Sequence, residues 1–442
     1  MVRLQCLGAL AVILMACGCA ENGISHPTAA RSKVVRAAGE QDKIIKTEPG
    51  VIHILPGPKV QEETQTALIK AKPGETIQFD DGTYDFTGGL SLTVDNVKIR
   101  GKGMDKTILS FKKQDSGKEG LIVTRGKFLI EDLTVEDSKG DAIKVNDAED
   151  VIFRNVRTRW TGGSKETNGA YGVYPVQCKN VLIEGCVAIG ASDAGIYVGQ
   201  SQNIIVRKCK AEGNVAGIEI ENCTDADVYD NEATDNAGGL LVFDLPGLQV
   251  KNGKRVRVHD NNVYANNHAN FAPKGNMVAS VAPGTGMIVM ATDQVELFKN
   301  TVKDNQTYNL AIVSFFITGR PMDDKGYDPY PEGIYVHDNM FSGGGNKPSG
   351  ERGHMLASLL GTPMPDIVYD GIINPAKLEN GKLPPNQGLY LKNNGNATFA
   401  NLHWNTLDPK DEKGNKAKIK RDIKPYEGEL PPLPPVTLPG VS

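Results

Sequence analysis

Short runs of alternating apolar and polar residues recur along the middle of the chain, and they nearly repeat one another. GIYVGQSQN at 195–203 returns as GIEIENCTD at 217–225, and AIKVNDAED (142–150) and GVYPVQCKN (172–180) align with both. Each is followed by a second alternating run: VIFRNV from Val151, VLIEGC from Val181, IIVRKC from Ile204 and ADVYDN from Ala226. That second run recurs as FLIEDL from Phe128, VRVHDN from Val256, VELFKN from Val295 and IYVHDN from Ile334, and VKIRGK from Val97 fits loosely. The period is 22 to 23 residues where no insertion intervenes. Alternation with period two predicts strands, and the unit is too short for two packed helices. A strand–turn–strand coil that stacks on copies of itself predicts an all-β, right-handed parallel β-helix, single-stranded, with coils of about 22 residues.

Stacking turns equivalent positions into ladders about 4.8 Å apart. One ladder runs Leu133, Val156, Cys186, Cys209, Asn231, Asn261, Asn300, Asn339, changing from apolar to amide along the axis. Stacked Asn side chains hydrogen-bond along such a column and satisfy turn backbone. Cys186 and Cys209 share that ladder, while Cys178 and Cys223 share another with Ala148 and Ser201. These four are expected to be small buried filler. The outward column Glu131, Arg154, Glu184, Arg207 alternates in sign and predicts ion pairs between coils.

An open coil end exposes edge backbone and core, so covers are needed. Val60, Ala67, Leu68 and Ala71 have helical spacing and predict an N-terminal capping helix. The expected organisation is a signal segment at 1–19, a polar tether at 20–45, the capped β-helix at 46–345, and an irregular C-terminal cap with a Pro-rich tail at 346–442.

Composition fits this picture: aromatics are only 6% and there are 49 Gly. A net charge of -4 gives no basic excess, so nucleic acid is not an expected partner. Arg3 followed by the apolar run Leu7–Met15 reads as an export signal, too short to span a bilayer as a mature helix. Leu14-Met15-Ala16-Cys17 resembles a lipobox, which makes Cys17 the expected lipidation site, with Cys19 and an ordinary cleaved signal peptide as alternatives. The expectation is an exported protein of the cell envelope or periplasm, meeting the membrane through a lipid anchor only.

Strand alternation points the second residue of each G-I-x-V phrase inward and the third outward. The outward column is Lys144, Tyr174, Tyr197, Glu219, Leu241. Insertions at 159–171, 244–255, 268–286 and 316–333 flank this strand on both sides. Long loops in a tight repeat are commonly functional. The candidate ligand groove is therefore floored by Lys144, Tyr174, Tyr197 and Glu219. Its walls bring Arg159, Trp160, Asp244, Lys274 and Arg320. Aromatic faces stack on sugar rings and carboxylates take hydroxyls, so an extended polysaccharide is the expected partner. Asp147, Gln177, Gln200 and Asn222 form the next polar ladder, beside the groove or ordering a turn. No zinc, haem or phosphate-loop spacing occurs, and neither a metal nor a cofactor is expected. Tyr197 or Tyr174 as acid/base beside Lys144 or Arg159 would suit a metal-free reaction.

The AKPGETIQFDDGTY opening (71–84), followed by stacked G-I-x-[VI] and V-x-[IV]-x-x-[CN] coils, resembles the pectin-lyase-like superfamily. More narrowly, GAYGVYPVQCKNVLIEGCVAIGASDAGIYVGQSQN (169–203) is similar to a family of predicted bacterial lipoproteins with β-helix repeats and no settled activity. The superfamily implies carbohydrate recognition or lyase, hydrolase or epimerase chemistry, although fold does not fix function. Glu219 with Glu221 is thin for a calcium-dependent lyase, the G-H-G segment of polygalacturonases is absent, and DPYP at Asp328 departs from the D-P-H-D run of alginate epimerases. Three expectations result: a carbohydrate-binding β-helix lipoprotein, a uronate lyase or epimerase using the same groove, or a non-catalytic module whose groove holds a partner or the chain's own tail.

Overall fold

The computed structural model describes residues 33–34, 48–404 and 419–440. The expected signal segment with Cys17 and Cys19, and most of the expected tether, lie outside the described residues. Among the described residues no helix is long and apolar enough to cross a membrane.

The strands form two parallel sheets of 21 and 11 strands. Each coil gives one strand to the 11-stranded sheet and two, separated by a bend, to the other. The coil that begins at Ala194–Gly199 continues through Gln202–Arg207 and Lys210–Glu212 before Ala216–Glu221 starts the next. Ile196 pairs in register with Ile218, and Tyr197 with Glu219, so the two halves of the repeated phrase are successive coils. Inward residues such as Ile196, Val198, Ile204, Val206 and Ala211 are fully buried in one continuous core. The polar ladder Asp147, Gln177, Gln200, Asn222 lies at the turn after this strand, with φ of 55°, 56°, 51° and 51°.

Two amide ladders brace the bends. In the first, Asn231 Nδ2 donates to Asn261 Oδ1 at 3.0 Å, Asn261 to Asn300 at 2.9 Å, Asn300 to Asn339 at 2.9 Å and Asn339 to Asn394 at 3.0 Å. The second links Asn214, Asn236, Asn266 and Asn305 at 2.9 to 3.1 Å. It explains the glycine that opens each G-I-x-V phrase. A Cβ on Gly195, Gly217, Gly239 or Gly286 would fall 2.6 to 2.8 Å from the Nδ2 of these four amides in turn. Where the phrase has Asn309 instead, its own Oδ1 accepts from Asn305 at 3.0 Å and ends the column.

Cys178, Cys186, Cys209 and Cys223 are buried free thiols within the stack. Arg154 lies 3.6 Å from Glu131 and 3.4 Å from Glu184, and Arg207 lies 2.8 Å from Glu184, so the alternating column is an ion-pair ladder.

The N-terminal cover is helix α1, Val60–Lys70. Val60, Ala67 and Leu68 seal the core. Its glutamines serve the open edge of strand Gly88–Leu92: Gln61 Oε1 accepts from Gly88 N at 2.9 Å, and Gln65 both accepts from Ser91 N and donates to Ser91 O at 2.9 Å. At the other end the stacking runs past residue 345, where the sequence repeat fades. Ile367–Tyr369 pairs with Tyr308–Val313, Phe399–Asn401 with Ile367–Tyr369, and Leu389–Lys392 with Ile334–His337. Helix α2, Gly350–Leu360, is one of the insertions between these strands.

Candidate functional site

The outer face of the 11-stranded sheet does not form one open groove. From Leu241 onward its outward column is apolar (Leu241, Ile288, Ala311, Val368, Ala400), and it is packed beneath residues of the inserted loops and α2, among them Met277, Val278, Phe315, Tyr327 and Leu360. Upstream the column turns aromatic and acidic, and here titratable groups collect.

Tyr171, Tyr174 and Tyr197 form a triad with ring centroids 4.4, 4.6 and 5.0 Å apart. Tyr174 is half-buried, and Lys144 Nζ stands 4.8 Å from its ring centroid. Tyr197 is only 4% exposed and lies back across Gly199, where a Cβ would come within 2.3 Å of its hydroxyl oxygen. Its Oη donates to Glu221 Oε1 at 2.7 Å. Glu219 and Glu221, two apart on one strand, point to the same outer side, and Asp193 enters from the turn before Ala194–Gly199. Asp193 Oδ2 accepts from Asn276 Nδ2 at 3.1 Å, which ties the cluster to the loop at 268–284.

All three carboxyls are nearly enclosed, at 1% exposure for Glu219, 7% for Asp193 and 8% for Glu221. Burial disfavours the charged form of each. Glu219 is held well above the usual carboxylate range, first by burial and then by the charges of Glu221 and Asp193. Burial, then Glu221, pushes Asp193 up to about 7. Glu221 is also raised by burial, against the pull of hydrogen bonds from Tyr197 and Glu219. Burial and mutual repulsion thus favour a proton held on the Glu219–Glu221 pair, with Tyr197 donating to Glu221, while Glu219 Oε2 has no hydrogen-bond partner. Asp141 at the rim is pushed up to about 6 by burial, with Lys144 opposing. The set can hold and pass a proton near neutral pH.

Lys144, Tyr174, Tyr197 and Glu219 thus come together, with Tyr197 and Glu219 as the enclosed floor. Asp244 is near enough for the Glu221 charge to raise it, but burial is the larger cause and takes it to about 7. Its Oδ2 accepts from Asn252 N at 2.9 Å, and its Oδ1 has no partner. Arg159 and Trp160 are engaged elsewhere. Arg159 grips Glu136 Oε2 through Nε and Nη2 at 2.9 and 2.8 Å, and Trp160 is buried with Nε1 donating to Ser138 O at 2.8 Å. Arg159 ends the strand Glu149–Arg159 on its outward parity, but that strand belongs to the 21-stranded sheet, and Trp160 follows just past its end. Tyr171, Asp193 and Asn276 escaped the sequence reading. Tyr171 opens its strand and the other two sit in loops, where no periodicity assigns a direction.

Beside the cluster lies a groove of about 1020 Å³, whose lining includes Lys274, Asn276, Phe316, Arg320, Arg352 and Trp404. Arg320 Nη2 donates to Gly275 O and Asn276 O at 3.0 and 2.9 Å, so two insertions are clasped where groove and cluster meet. One carboxylate group in the described residues has metal-like geometry. Ligand oxygens of Asp293, Asp328 and Glu332 lie within 4.8 Å of one another. The ammonium of Lys377 bonds Asp328 at 2.8 Å and contacts Glu332, which supplies the cluster with a built-in cation.

The family of right handed beta helix regions matches residues 119–315. No curated protein matches the sequence. Among solved structures, the Azotobacter vinelandii mannuronan C-5 epimerase AlgE4 A-module is 16% identical, over 76% of this chain and 90% of that one, with a TM-score of 0.47. Pectate lyase Pel9A is 15% identical over 66% and 76%, with a TM-score of 0.42. The Dettilon tailspike protein is 12% identical over 78% and 68%, with a TM-score of 0.40. The protein has a right-handed parallel β-helix fold.

Proposed function

We propose that the protein, exported and lipid-anchored through Cys17, binds an extended carbohydrate along the outer face of the 11-stranded sheet and carries out acid–base chemistry on it. The observation that carries this reading is the convergence of Asp193, Glu219 and Glu221 with Tyr197, whose hydroxyl donates to Glu221 at 2.7 Å. A protonated carboxyl beside a hydrogen-bonded one supplies acid and base from one cluster. The half-buried Tyr171 and Tyr174 offer ring faces to a sugar, and Lys144, Lys274 and Arg320 favour a substrate that carries carboxylates. Uronate lyase or epimerase chemistry fits this set, with Tyr197 and Glu221 moving the proton.

The test is incubation of the purified chain with alginate, pectate and neutral glucans. New unsaturated ends report elimination, new reducing ends report hydrolysis, and proton NMR of the sugar ring reports epimerisation. Activity on a uronate polymer that falls at least a hundredfold in Tyr197→Phe and Glu221→Gln supports the proposal. Binding of a polymer without turnover leaves the second reading, a carbohydrate-binding protein, which is favoured by the near-complete burial of Glu219. Neither binding nor turnover on any glycan rejects both.

A further inference from the structure

The C-terminal tail does not enter the tyrosine cluster. It runs back over the outer face of the 21-stranded sheet, against the order of the coils. Its sequence has its own period: Leu430-Pro-Pro-Leu433-Pro-Pro-Val436 places an apolar residue at every third position. The four prolines fix φ and hold the segment in the threefold polyproline II conformation. Leu430, Leu433 and Val436 are half-buried while the prolines between them are exposed, so one edge of the threefold rod faces the sheet.

Within the triplets after Leu430, only Leu433 and Val436 keep backbone donors, and both donors are used. Leu433 N donates to Glu296 Oε2 at 2.9 Å and Val436 N to Asp227 Oδ2 at 3.4 Å. Asp227 and Glu296 stand two coils apart in one outward column, with Arg257 between them. Two coils span about 9.6 Å, and three polyproline II residues span about 9.3 Å. The period of the tail therefore matches that of the stack.

The acceptors are held in place beforehand. His259 Nε2 bonds Asp227 Oδ1 at 2.8 Å, His337 Nε2 bonds Glu296 Oε1 at 3.1 Å, and Arg257 bonds Asp227 Oδ2 at 2.5 Å. The two histidines belong to a stack, Tyr229–His259–Phe298–His337, with centroids 4.9, 4.5 and 5.2 Å apart. Beyond it Leu438 is buried against Leu182 and Ile205, with Tyr229 and Val436 beside them.

We propose that this face is a docking track for an extended proline-rich peptide with repeating apolar–Pro–Pro triplets, filled in cis by residues 430–438 and open to such a peptide in trans. Carboxylates at two-coil intervals read the peptide N–H groups, and the Leu182–Ile205 patch reads an apolar end. Recognition by a preformed polyproline II rod loses little entropy on binding.

The probe is a fluorescent peptide of residues 429–440, titrated into the full chain and into its full-length variant Leu438→Asp, which unpins the tail. A second peptide carries Leu433→Pro and Val436→Pro and so lacks both donors. The expected result is saturable binding to Leu438→Asp at least tenfold tighter than to the unaltered chain, and at least tenfold weaker binding of the donor-less peptide. If Leu438→Asp fails to fold, the full chain carrying Leu433→Pro and Val436→Pro serves instead, since its tail has lost its own donors. A dimer of the unaltered chain that disappears in that double variant also supports the proposal and makes the second copy's tail the source. The proposal is overturned if the peptide binds neither folded variant, or if both peptides bind equally.

Discussion

Replacing Asn261 by Ala tests whether the amide columns hold the coils together. The Asn261 side chain makes four buried hydrogen bonds. Nδ2 donates to Val228 O and to Asn300 Oδ1, both at 2.9 Å, and Oδ1 accepts from Asn231 N at 3.1 Å and Asn231 Nδ2 at 3.0 Å. At a net value of about 1 kcal/mol each the loss is about 4 kcal/mol. Two partners retain other bonds: Asn231 Nδ2 still reaches Val206 O, and Asn300 Oδ1 still accepts from the backbone N of residue 261. Asn231 N and Val228 O lose a buried partner, which adds about 1 kcal/mol or more. The expected cost is about 5 kcal/mol, an exceptional value for one side chain. Asn261→Cys should cost about half of that. Cysteine already occupies this column at Cys209, where Sγ lies 3.6 Å from Ile183 O, the counterpart of Val228 O, and 3.2 Å from Arg207 O. The assay is urea unfolding followed by circular dichroism, with amide exchange at Asn231 as a local probe. In a stacked array the loss can split one transition into two at the break. An Ala variant within about 1 kcal/mol of the parent, with Asn231 still protected, would refute the reasoning.

Three further outcomes are expected. Gly239→Ala should cost about 2 kcal/mol or more, because its Cβ would fall 2.5 Å from Val263 Cγ1 and 2.6 Å from Asn266 Nδ2; an unchanged thermal melt would contradict this. Burial raises Asp244 from 3.8 to about 7, so between about pH 4 and 7 the folded state holds a proton that the unfolded state has released. Stability therefore falls as pH rises through that window, by at most about 4 kcal/mol, and Asp244→Asn should flatten the fall; parallel pH profiles would exclude it. Lys377→Met leaves Asp328 and Glu332 without their cation and should cost about 3 kcal/mol at neutral pH, less in acid where the carboxyls are protonated; a pH-independent loss would point to packing instead.

The coil architecture was legible because stacking is periodic. Ile196 and Ile218 must both be apolar, and the ladder Asn231–Asn261–Asn300–Asn339 could be read from spacing alone. The Asn214–Asn236 column was not read, since it sits at a bend where alternation restarts, although the glycine that opens the phrases at 195, 217, 239 and 286 was its trace. For the candidate site, the column Lys144–Tyr174–Tyr197–Glu219 was legible by parity. Its enclosure was not, because burial there comes from loop residues such as Met277 and Phe315, whose positions no repeat encodes. Arg159 and Trp160 show the converse. Their residue types suit a sugar groove, but Glu136 and Ser138 O claim them first.

The bonds of the first amide column join residues that are 30, 39, 39 and 55 positions apart, yet all stay between 2.9 and 3.0 Å. Chain length is thus free to vary between rungs while the rungs themselves do not move. The stack can carry loops of different length on one face without renegotiating its register. A laboratory could use the same freedom by inserting foreign segments at the exposed Gly247 or Asp323 and expecting the stack to fold as before.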